Sequence, residues 1–143
     1  MPLRFAAVQW TELTPHLTGL AHLATATAGG EPHVSVVMPY LERSTIWVFT
    51  RSSSGKAQRV QDNGRVALMW RPGPEAYLWG RAEVVSDVAE RARLWAFPDL
   101  PFDPAGFFGT HDHPDHVLLR ITPERATLMV HDGSGIHRLT WRG

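Results

Sequence analysis

The feature of this chain that most limits its fold is a series of short strand-like stretches separated by strong turn signals. Ala28-Gly29-Gly30 is typical of a hairpin turn, and a valine-rich stretch follows it at residues 33–40. Arg71-Pro72-Gly73-Pro74 is tolerated neither inside a helix nor in a central strand, so it separates a stretch at residues 65–70 from another at residues 75–85. Strands joined by such turns predict an antiparallel sheet.

The same pattern continues along most of the chain. Predicted strands lie at residues 21–27, 33–40, 45–50, 65–70, 75–85, 116–121 and 126–131, and residues 136–141 are a candidate for a last strand. Gly80 lies inside the longest of them, where a glycine often marks a bulge or a close approach of two backbones. The pattern predicts a mainly β (α+β) fold, an antiparallel barrel of about six to seven strands with short flanking helices.

Three short helices are expected beside these strands. The spacing of tryptophan and leucine predicts an amphipathic helix over residues 10–20. A second helix should run over residues 54–62, and Asn63-Gly64 after it is typical of a left-handed helix end. Asp87 should cap a third helix. The residues expected to face inward are Ala57 and Val60 of the second helix and Val88, Ala92 and Trp95 of the third.

Composition excludes several classes of protein. With 143 residues, the chain is expected to form a single domain over residues 1–143. The formal net charge is zero and the arginines are scattered, which argues against a nucleic-acid partner. There is no cysteine, so disulfides and thiolate metal sites are excluded. No apolar run approaches the roughly 20 residues that span a bilayer, and the N-terminal residues lack a signal-peptide core, so we expect no membrane partner and a cytoplasmic location.

Lys56 is the only lysine of the chain, and it follows a hydroxyl-rich turn, Phe49-Thr50-Arg51-Ser52-Ser53-Ser54-Gly55. This segment has the pattern of a strand end, a turn and a helix start. A helix N-terminus offers unpaired N–H groups and a positive dipole end, so serine hydroxyls and one cation there favour a phosphate group. Alternatively, Ser53 or Ser54 only caps the helix and Lys56 is a solvated residue of its first turn.

A histidine-rich segment near residue 113 raises the question of a metal site. His111, His113 and His116 alternate with Asp112 and Asp115, and imidazole and carboxylate groups suit zinc or iron. Their spacing matches neither a helix face nor a usual zinc motif, so a polar loop is the favoured interpretation and no metal is expected. No Ser/His/Asp triad can be assembled from the sequence, and no catalytic residue is assigned.

Several stretches taken together resemble the pyridoxamine 5′-phosphate oxidase-like family of flavin-binding split β-barrels, and especially its small general-stress-protein branch. They are Leu23-Ala24-Thr25 through Gly30-Glu31-Pro32-His33-Val34, Val48-Phe49-Thr50 with Ser54-Gly55-Lys56, Asn63-Gly64-Arg65-Val66-Ala67-Leu68, Leu78-Trp79-Gly80-Arg81-Ala82, and residues 117–126. The resemblance covers roughly residues 23–128, and it rests on the order and spacing of these stretches rather than on one decisive motif. It implies that the barrel is of the split type.

The resemblance also implies a function and a set of site residues. The protein should be a homodimer with two FMN sites at the subunit interface, acting as an oxidoreductase on a small-molecule redox substrate. Lys56 and Ser54 should hold the FMN phosphate, with Thr50 and Arg51 assisting. The backbone of the segment Ser35, Val36 and Val37 should run beside the isoalloxazine ring. Alternatives are a deazaflavin-dependent reductase, a non-catalytic flavin- or ligand-binding stress protein, and a barrel that has lost its cofactor.

The sequence also departs from the pyridoxamine 5′-phosphate oxidases proper. They carry an arginine just before the lysine, where this chain has Gly55, and we expect Arg51 to supply the missing charge. Glu75 stands where they have a glutamine before the fifth strand, and their C-terminal arginine and histidine motif is not recognisable. Oxidation of the vitamin itself is therefore not expected. Haem binding by one of the histidines is a weaker option, suggested only by similarity to a distant branch of split barrels.

Overall fold

The computed structural model describes residues 3–71 and 73–143, and within them the chain forms nine strands and four α-helices. The strands are Leu3–Ala7 (β1), Ala21–Ala26 (β2), Pro32–Val37 (β3), Tyr40–Glu42 (β4), Thr45–Arg51 (β5), Arg65–Trp70 (β6), Glu75–Val85 (β7), His116–Asp132 (β8) and Gly135–Arg142 (β9). The helices are Trp10–Leu13 (α1), Gly55–Asp62 (α2), Val88–Trp95 (α3) and Ala105–Phe108 (α4), with a 3₁₀ turn at Thr14–His16.

One strand, β8, connects the two parts of the sheet. Its first part pairs with β5 on one side and β7 on the other, whereas its second part pairs with β7 and β9. From β7 the sheet continues through β6 and β2 to β3, and all of these pairings are antiparallel. The sheet does not close, and this confirms the predicted antiparallel split barrel with short helices. The parallel pair β1 and β9 is the exception to the antiparallel rule.

The core lies between the inward side chains of the strands and one face of α2. Alternate residues of β2, β6 and β7 are buried, as a strand with one covered face requires. The two helix residues that were expected to face inward, Ala57 and Val60, are 2% and 3% exposed. Helix α2 is therefore held against the barrel by apolar burial, which fixes the position of its N-terminus.

Gly80 confirms the expectation of a bulge and a close backbone approach. The pairing of β7 with β8 shifts register between Trp79 and Gly80, where Gly80 faces Pro123. A Cβ atom at position 80 would collide with the carbonyl oxygen of Thr122. Only glycine fits there, and the bulge lets a proline, which has no N–H group, stand inside a long strand.

Three predicted elements have different bounds in the structure. Residues 116–131 were expected to form two strands, but the bulge keeps them in the single 17-residue strand β8. The stretch at residues 33–40 is divided into β3 and β4 instead of forming one strand. The helix expected over residues 10–20 ends after α1. Pro15 lies at the start of the 3₁₀ turn that follows, and it has no N–H group with which to continue an α-helix.

Two helix details were also predicted wrongly. Asn63 after α2 is extended rather than left-handed, with φ −150°, and its side chain donates to the Thr27 carbonyl and accepts from the Arg65 N–H. These side-chain hydrogen bonds end the helix without a glycine in the left-handed region. Asp87 caps α3 as expected, through the Glu90 N–H, but the residues that α3 buries are Arg91 and Leu94. Val88 is 52% exposed, so the inward face is offset from the predicted one.

None of the helices within the described residues has the length and apolar character needed to span a membrane.

Candidate functional site

A cleft of about 330 Å³ lies beside the start of α2. Strand β3 and the residues after it contribute Val36, Val37 and Met38, strand β5 contributes Val48 and Phe49, and the segment around α4 contributes Phe102, Phe107 and Phe108. Leu20 and Lys56 complete the lining. Lys56 is the one charged side chain among the described residues that line the cleft, so it presents a single cation to an otherwise apolar space.

The aromatic residues of the cleft form a connected wall. The ring centroids of Phe49 and Phe102 lie 5.1 Å apart in an edge-to-face arrangement, and those of Phe102 and Phe107 lie 6.1 Å apart in the same arrangement. Phe108 is 8% exposed, whereas Phe107 is 62% exposed. The wall is therefore anchored in the protein at one end and presents an uncovered aromatic ring at the other.

The end of β5 and the start of α2 are joined by hydroxyl groups. Ser54 is the N-cap residue of α2, with extended backbone, and its Oγ accepts a hydrogen bond of 3.2 Å from the Ala57 N–H. The same Oγ shares a hydrogen bond of 3.1 Å with Oγ1 of Thr50, which is 6% exposed. Ser54 is thus a true helix cap, and the cap is tied to the strand that lines the cleft.

The turn between these elements binds a carboxylate of the protein itself. The hydroxyl groups of Ser52 and Ser53 both donate to Asp115, and the Ser53 N–H donates to the same group over 3.0 Å. The Arg51 guanidinium lies 3.6 Å from it. The hydroxyls of Ser52 and then Ser53 lower the pKa of Asp115 to about 2, so the carboxylate is charged at neutral pH. The donors of the turn are already satisfied.

Arg51 also connects the turn to the aromatic wall. Its Nη2 donates a hydrogen bond of 2.6 Å to the carbonyl oxygen of Phe107, and its guanidinium lies 5.2 Å from the ring centroid of Phe108. Arg51 therefore holds the segment around α4 in place beside the cleft. Because Asp115 balances much of its charge, Arg51 is a weaker candidate for a phosphate ligand than its place in the sequence suggests.

Helix α2 itself carries two cations, Lys56 and Arg59. Neither forms an ion pair within the part of the chain that the structure describes. Arg59 donates from Nε to Oγ1 of Thr25, over 2.7 Å. Sequence reasoning missed Arg59, although a signal existed: helical side chains lean toward the N-terminus, and the residue one turn before it is Gly55.

Strand β3 supplies two of the three predicted ring-side residues to the cleft. Val36 is 59% exposed and Val37 is 7% exposed, and both line it. Ser35 is not among the lining residues, and its Oγ is buried without a hydrogen-bond partner in the described residues. The structure therefore brings Val36, Val37 and Lys56 together at the cleft. Thr50 near the end of β5 and Ser54 at the cap of α2 are hydrogen-bonded to each other, and Arg51 faces the Asp115 side.

Behind the aromatic wall, Arg91 organises the histidine-rich segment. Arg91 is 7% exposed, and its Nη1 donates to the carbonyl oxygens of His111, His113 and His116 over 3.1–3.3 Å. One guanidinium group thus donates hydrogen bonds to three backbone carbonyl oxygens of the same loop. The loop carries Asp115, so this buried arginine also fixes the carboxylate that fills the serine turn.

The histidine side chains themselves have separate structural contacts. His116 is fully buried, and its Nδ1 donates to the His111 carbonyl over 3.0 Å, because a carbonyl oxygen can only accept. Burial lowers the pKa of His116, so it is neutral at pH 7. His113 accepts a hydrogen bond from the Asp115 N–H. Within residues 3–71 and 73–143, no group of three or more His, Asp or Glu side chains is arranged to hold a metal ion.

A serine, a histidine and an aspartate do meet at the hairpin between β8 and β9. Nε2 of His137 lies 2.9 Å from Oγ of Ser134 and 3.2 Å from the Asp132 carboxylate. A catalytic triad requires the acid on one ring nitrogen and the hydroxyl on the other. Here both contacts use the same nitrogen, so this group is a polar cap on the hairpin.

Comparison with solved structures identifies relatives of this fold. A Clostridium acetobutylicum protein related to general stress protein 26 superposes with a TM-score of 0.73 at 20% identity, over 92% of this chain and 90% of the other. General stress protein 26 of Bacillus anthracis gives a TM-score of 0.69 at 18% identity, over 82% and 91%. At such identities the likeness shows the fold alone.

A third similar structure is of a protein that is described as binding FMN. It is a pyridoxamine 5′-phosphate oxidase-related, FMN-binding protein of Nostoc punctiforme, with a TM-score of 0.63 at 18% identity, over 86% of this chain and 80% of the other. Among curated protein sequences, none matches this chain significantly. The sequence model of pyridoxamine 5′-phosphate oxidase, however, matches residues 15–130, which include every strand around the cleft. With the split barrel and this match in agreement, the chain belongs to the pyridoxamine 5′-phosphate oxidase family.

Proposed function

We propose that this protein is a homodimeric flavoprotein that binds FMN in the cleft beside α2 and transfers electrons to or from a small-molecule substrate. The observation that carries this proposal is the placement of Lys56 at an apolar, aromatic-walled cleft. A flat heterocycle favours the apolar part, and a phosphate ester favours the cation at the start of a helix. The cleft volume of about 330 Å³ lies in the range of small-molecule sites.

The hydrogen-bonding groups near the cleft suit the phosphate end of FMN. Lys56 would contribute a charge-assisted hydrogen bond, and the N–H groups of the first turn of α2 point in the same direction as the positive end of the helix dipole. Thr50 and Ser54 add hydroxyl groups beside it. Arg51 would assist mainly by holding the segment around α4 against the ring.

The edge of β3 suits the polar rim of the flavin ring. Strand β3 is the end of its sheet and pairs only with β2 among the described strands. An edge strand leaves every second set of backbone N–H and C=O groups unpaired. The backbone of Ser35, Val36 and Val37 can therefore offer donors and acceptors to the ring, while the Val37 side chain stays in the core.

When bound, FMN would supply the electron transfer, and the residues of this chain would bind it, orient it and keep water from one side of the ring. Lys56 is the one titratable side chain among the described residues that line the cleft, and it is assigned to the phosphate. The proposal therefore takes the protons of the reaction from the substrate or from water.

A dimer would complete the site. Leu20, Val34 and Val36 are 56%, 69% and 59% exposed, and two of them line the cleft. Apolar side chains that cluster beside an open cleft favour contact with a second protein surface. We expect light scattering to give twice the 16.0 kDa mass of the chain, and replacement of Val34 by aspartate to shift the mass toward one chain.

Titration of the purified protein with FMN tests the function. Binding should quench flavin fluorescence at one FMN per chain, and a reduced nicotinamide should then bleach the bound flavin until an acceptor restores its colour. Binding without bleaching would reduce the proposal to a flavin-binding protein. Binding of a deazaflavin coenzyme in preference to FMN would replace the cofactor, and binding of neither would refute the proposal.

A further inference from the structure

The space above Gly55 is filled by the guanidinium group of Arg59. A Cβ atom added at Gly55 would lie 2.7 Å from Nη1 of Arg59 and 3.5 Å from its Cζ. Arg59 is one turn further along α2, and its side chain leans back over the first residue of the helix. The absence of a side chain at position 55 therefore allows a cation from the helix interior to reach the helix N-terminus.

The position of this cation is fixed from the other side by β2. Thr25 is 2% exposed and faces α2, and its Oγ1 accepts the 2.7 Å hydrogen bond from Nε of Arg59. That bond uses one of the five N–H donors of the guanidinium. No other side-chain hydrogen bond of Arg59 and no ion pair is formed within the described residues, so both terminal nitrogens remain available for an acceptor.

The same helix turn has backbone donors without partners. Ser54 caps the Ala57 N–H, whereas the N–H groups of Gly55 and Lys56 have no acceptor in the part of the chain that the structure describes. Lys56 and Arg59 stand three residues apart on the helix, which places them on neighbouring sides of its first turn. The Arg59 guanidinium and two free N–H groups thus lie at the start of α2, Lys56 lines the cleft beside it, and neither cation is paired with a carboxylate of the described residues.

We infer that Arg59 is the second phosphate-binding cation of the site and makes the protein selective for a phosphorylated flavin over its dephosphorylated form. This inference rests on the proposed FMN site and goes beyond it by assigning a residue and a selectivity. A phosphate dianion can accept from Lys56, from Arg59 and from the first-turn N–H groups at once. Riboflavin has the same ring but no phosphate, so it gains nothing from either cation.

Parallel titrations with FMN and riboflavin test the inference, with Arg59→Gln as the central variant. We expect Arg59→Gln to weaken FMN binding by about 10- to 100-fold, the equivalent of a charge-assisted hydrogen bond, and to leave riboflavin binding within about twofold. The slope of FMN affinity against salt concentration should also become shallower, because one ionic contact is lost. A residue that only supported the fold would weaken both ligands equally.

Three further variants serve as controls. Arg65→Gln removes the same charge from an exposed residue at the start of β6, beyond the far end of α2, and should leave both affinities unchanged. Arg59→Lys keeps a cation and should retain part of the selectivity for FMN. Gly55→Ala removes no charge but displaces the guanidinium, so it should weaken FMN and spare riboflavin.

The outcomes test the phosphate site and the role of Arg59 separately. Wild-type protein that binds FMN no better than riboflavin, or binds neither, contradicts the proposed phosphate site itself. Wild-type protein that prefers FMN, with the preference unchanged in Arg59→Gln, leaves the proposed function standing and overturns the role of Arg59. Selective loss of FMN affinity in Arg59→Gln and Gly55→Ala, but not in Arg65→Gln, supports the inference.

Discussion

Between β5 and α2 the chain has two polar faces, one on the turn and one at the helix start. They differ in whether a carboxylate of the protein already binds to them. On the turn, the hydroxyls of Ser52 and Ser53 and the guanidinium of Arg51 surround the Asp115 carboxylate. At the helix start, Lys56 and Arg59 have no carboxylate partner within the described residues. A sequence shows both faces as one run of serines and cations. In the structure, the turn is a closed face filled by a carboxylate of the protein itself, whereas the helix start is an open face whose cations are unpaired within the described residues.

This difference shows that the number of donors in a motif does not measure its capacity to bind a ligand. A buried or satisfied donor has to break an existing contact before it can serve a new acceptor, and this cost reduces its contribution. The closed face stabilises the loop around Asp115 and the aromatic wall, whereas the open face is the one to which we assign the phosphate in our proposal. Each of the following variants changes one face and should leave the other nearly intact.

Removal of the Lys56 ammonium should have the largest effect. Lys56→Ala should weaken FMN binding by about 1.5–3 kcal/mol, since it deletes a charge-assisted hydrogen bond to the phosphate. Thermal stability should hardly change, because Lys56 has no ion pair within the described residues. Fluorescence titration and thermal melts of the same samples check both statements. An unchanged dissociation constant would reject the role of Lys56.

Loss of the helix cap should have the next largest effect, this time on stability. Ser54→Ala removes the acceptor of the Ala57 N–H and should lower the free energy of unfolding by about 1 kcal/mol, which is about 3 °C in Tm for a chain of this size. FMN binding should weaken by about fivefold, the value of one neutral hydrogen bond. Ser53→Ala is the matched control on the closed face, and a larger fall in FMN affinity in this control would contradict the comparison.

A variant of Arg51 tests the difference between the two faces, because the sequence predicted that Arg51 assists phosphate binding. Its charge faces Asp115 and its Nη2 binds the Phe107 carbonyl, so Arg51→Ala should weaken FMN binding by no more than about threefold, less than one hydrogen bond. A loss as large as that of Lys56→Ala, measured in the same titration, would mean that Arg51 leaves Asp115 to bind the phosphate.

Asp115 should affect stability through pH. Its folded-state pKa is lowered from 3.8 to about 2, so the charged form is favoured by folding. The stabilisation is fully present above the unfolded value of about 4 and is lost as the pH falls through about 2. The Tm of wild-type protein should therefore exceed that of Asp115→Asn at pH 6, and the difference should shrink as the pH falls below 4. A difference that stays constant over this range would refute the contribution of the carboxylate charge.

The sequence predicted the fold well where a local signal and the tertiary environment agree. Strands β6 and β7 have the predicted bounds, because turn residues enclose each of them. The cap at Ser54 and the bulge at Gly80 also follow from local chemistry. Strand β1 was missed: it has only five residues, and it pairs with β9 at the other end of the chain, a contact that no local signal shows.

The site was harder to predict because its decisive contacts join residues that are far apart in sequence. Asp115 lies more than sixty positions from the serines that it binds, and nothing local connects it to them. Apart from Phe49, the aromatic wall comes from an irregular segment, residues 102–108, that has no strand or helix pattern of useful length. Arg59 was overlooked because a helix residue one turn inside α2 was not expected to reach its N-terminus.

A crystal structure of the protein with FMN would show whether the phosphate lies at the start of α2. We predict that the phosphate oxygens lie within about 3 Å of Nζ of Lys56 and of the first-turn N–H groups of α2, the usual length of such hydrogen bonds. Asp115 should remain bound to Ser52 and Ser53. A phosphate that displaces Asp115 from the serine turn, or an FMN molecule that leaves the start of α2 empty, would contradict this prediction.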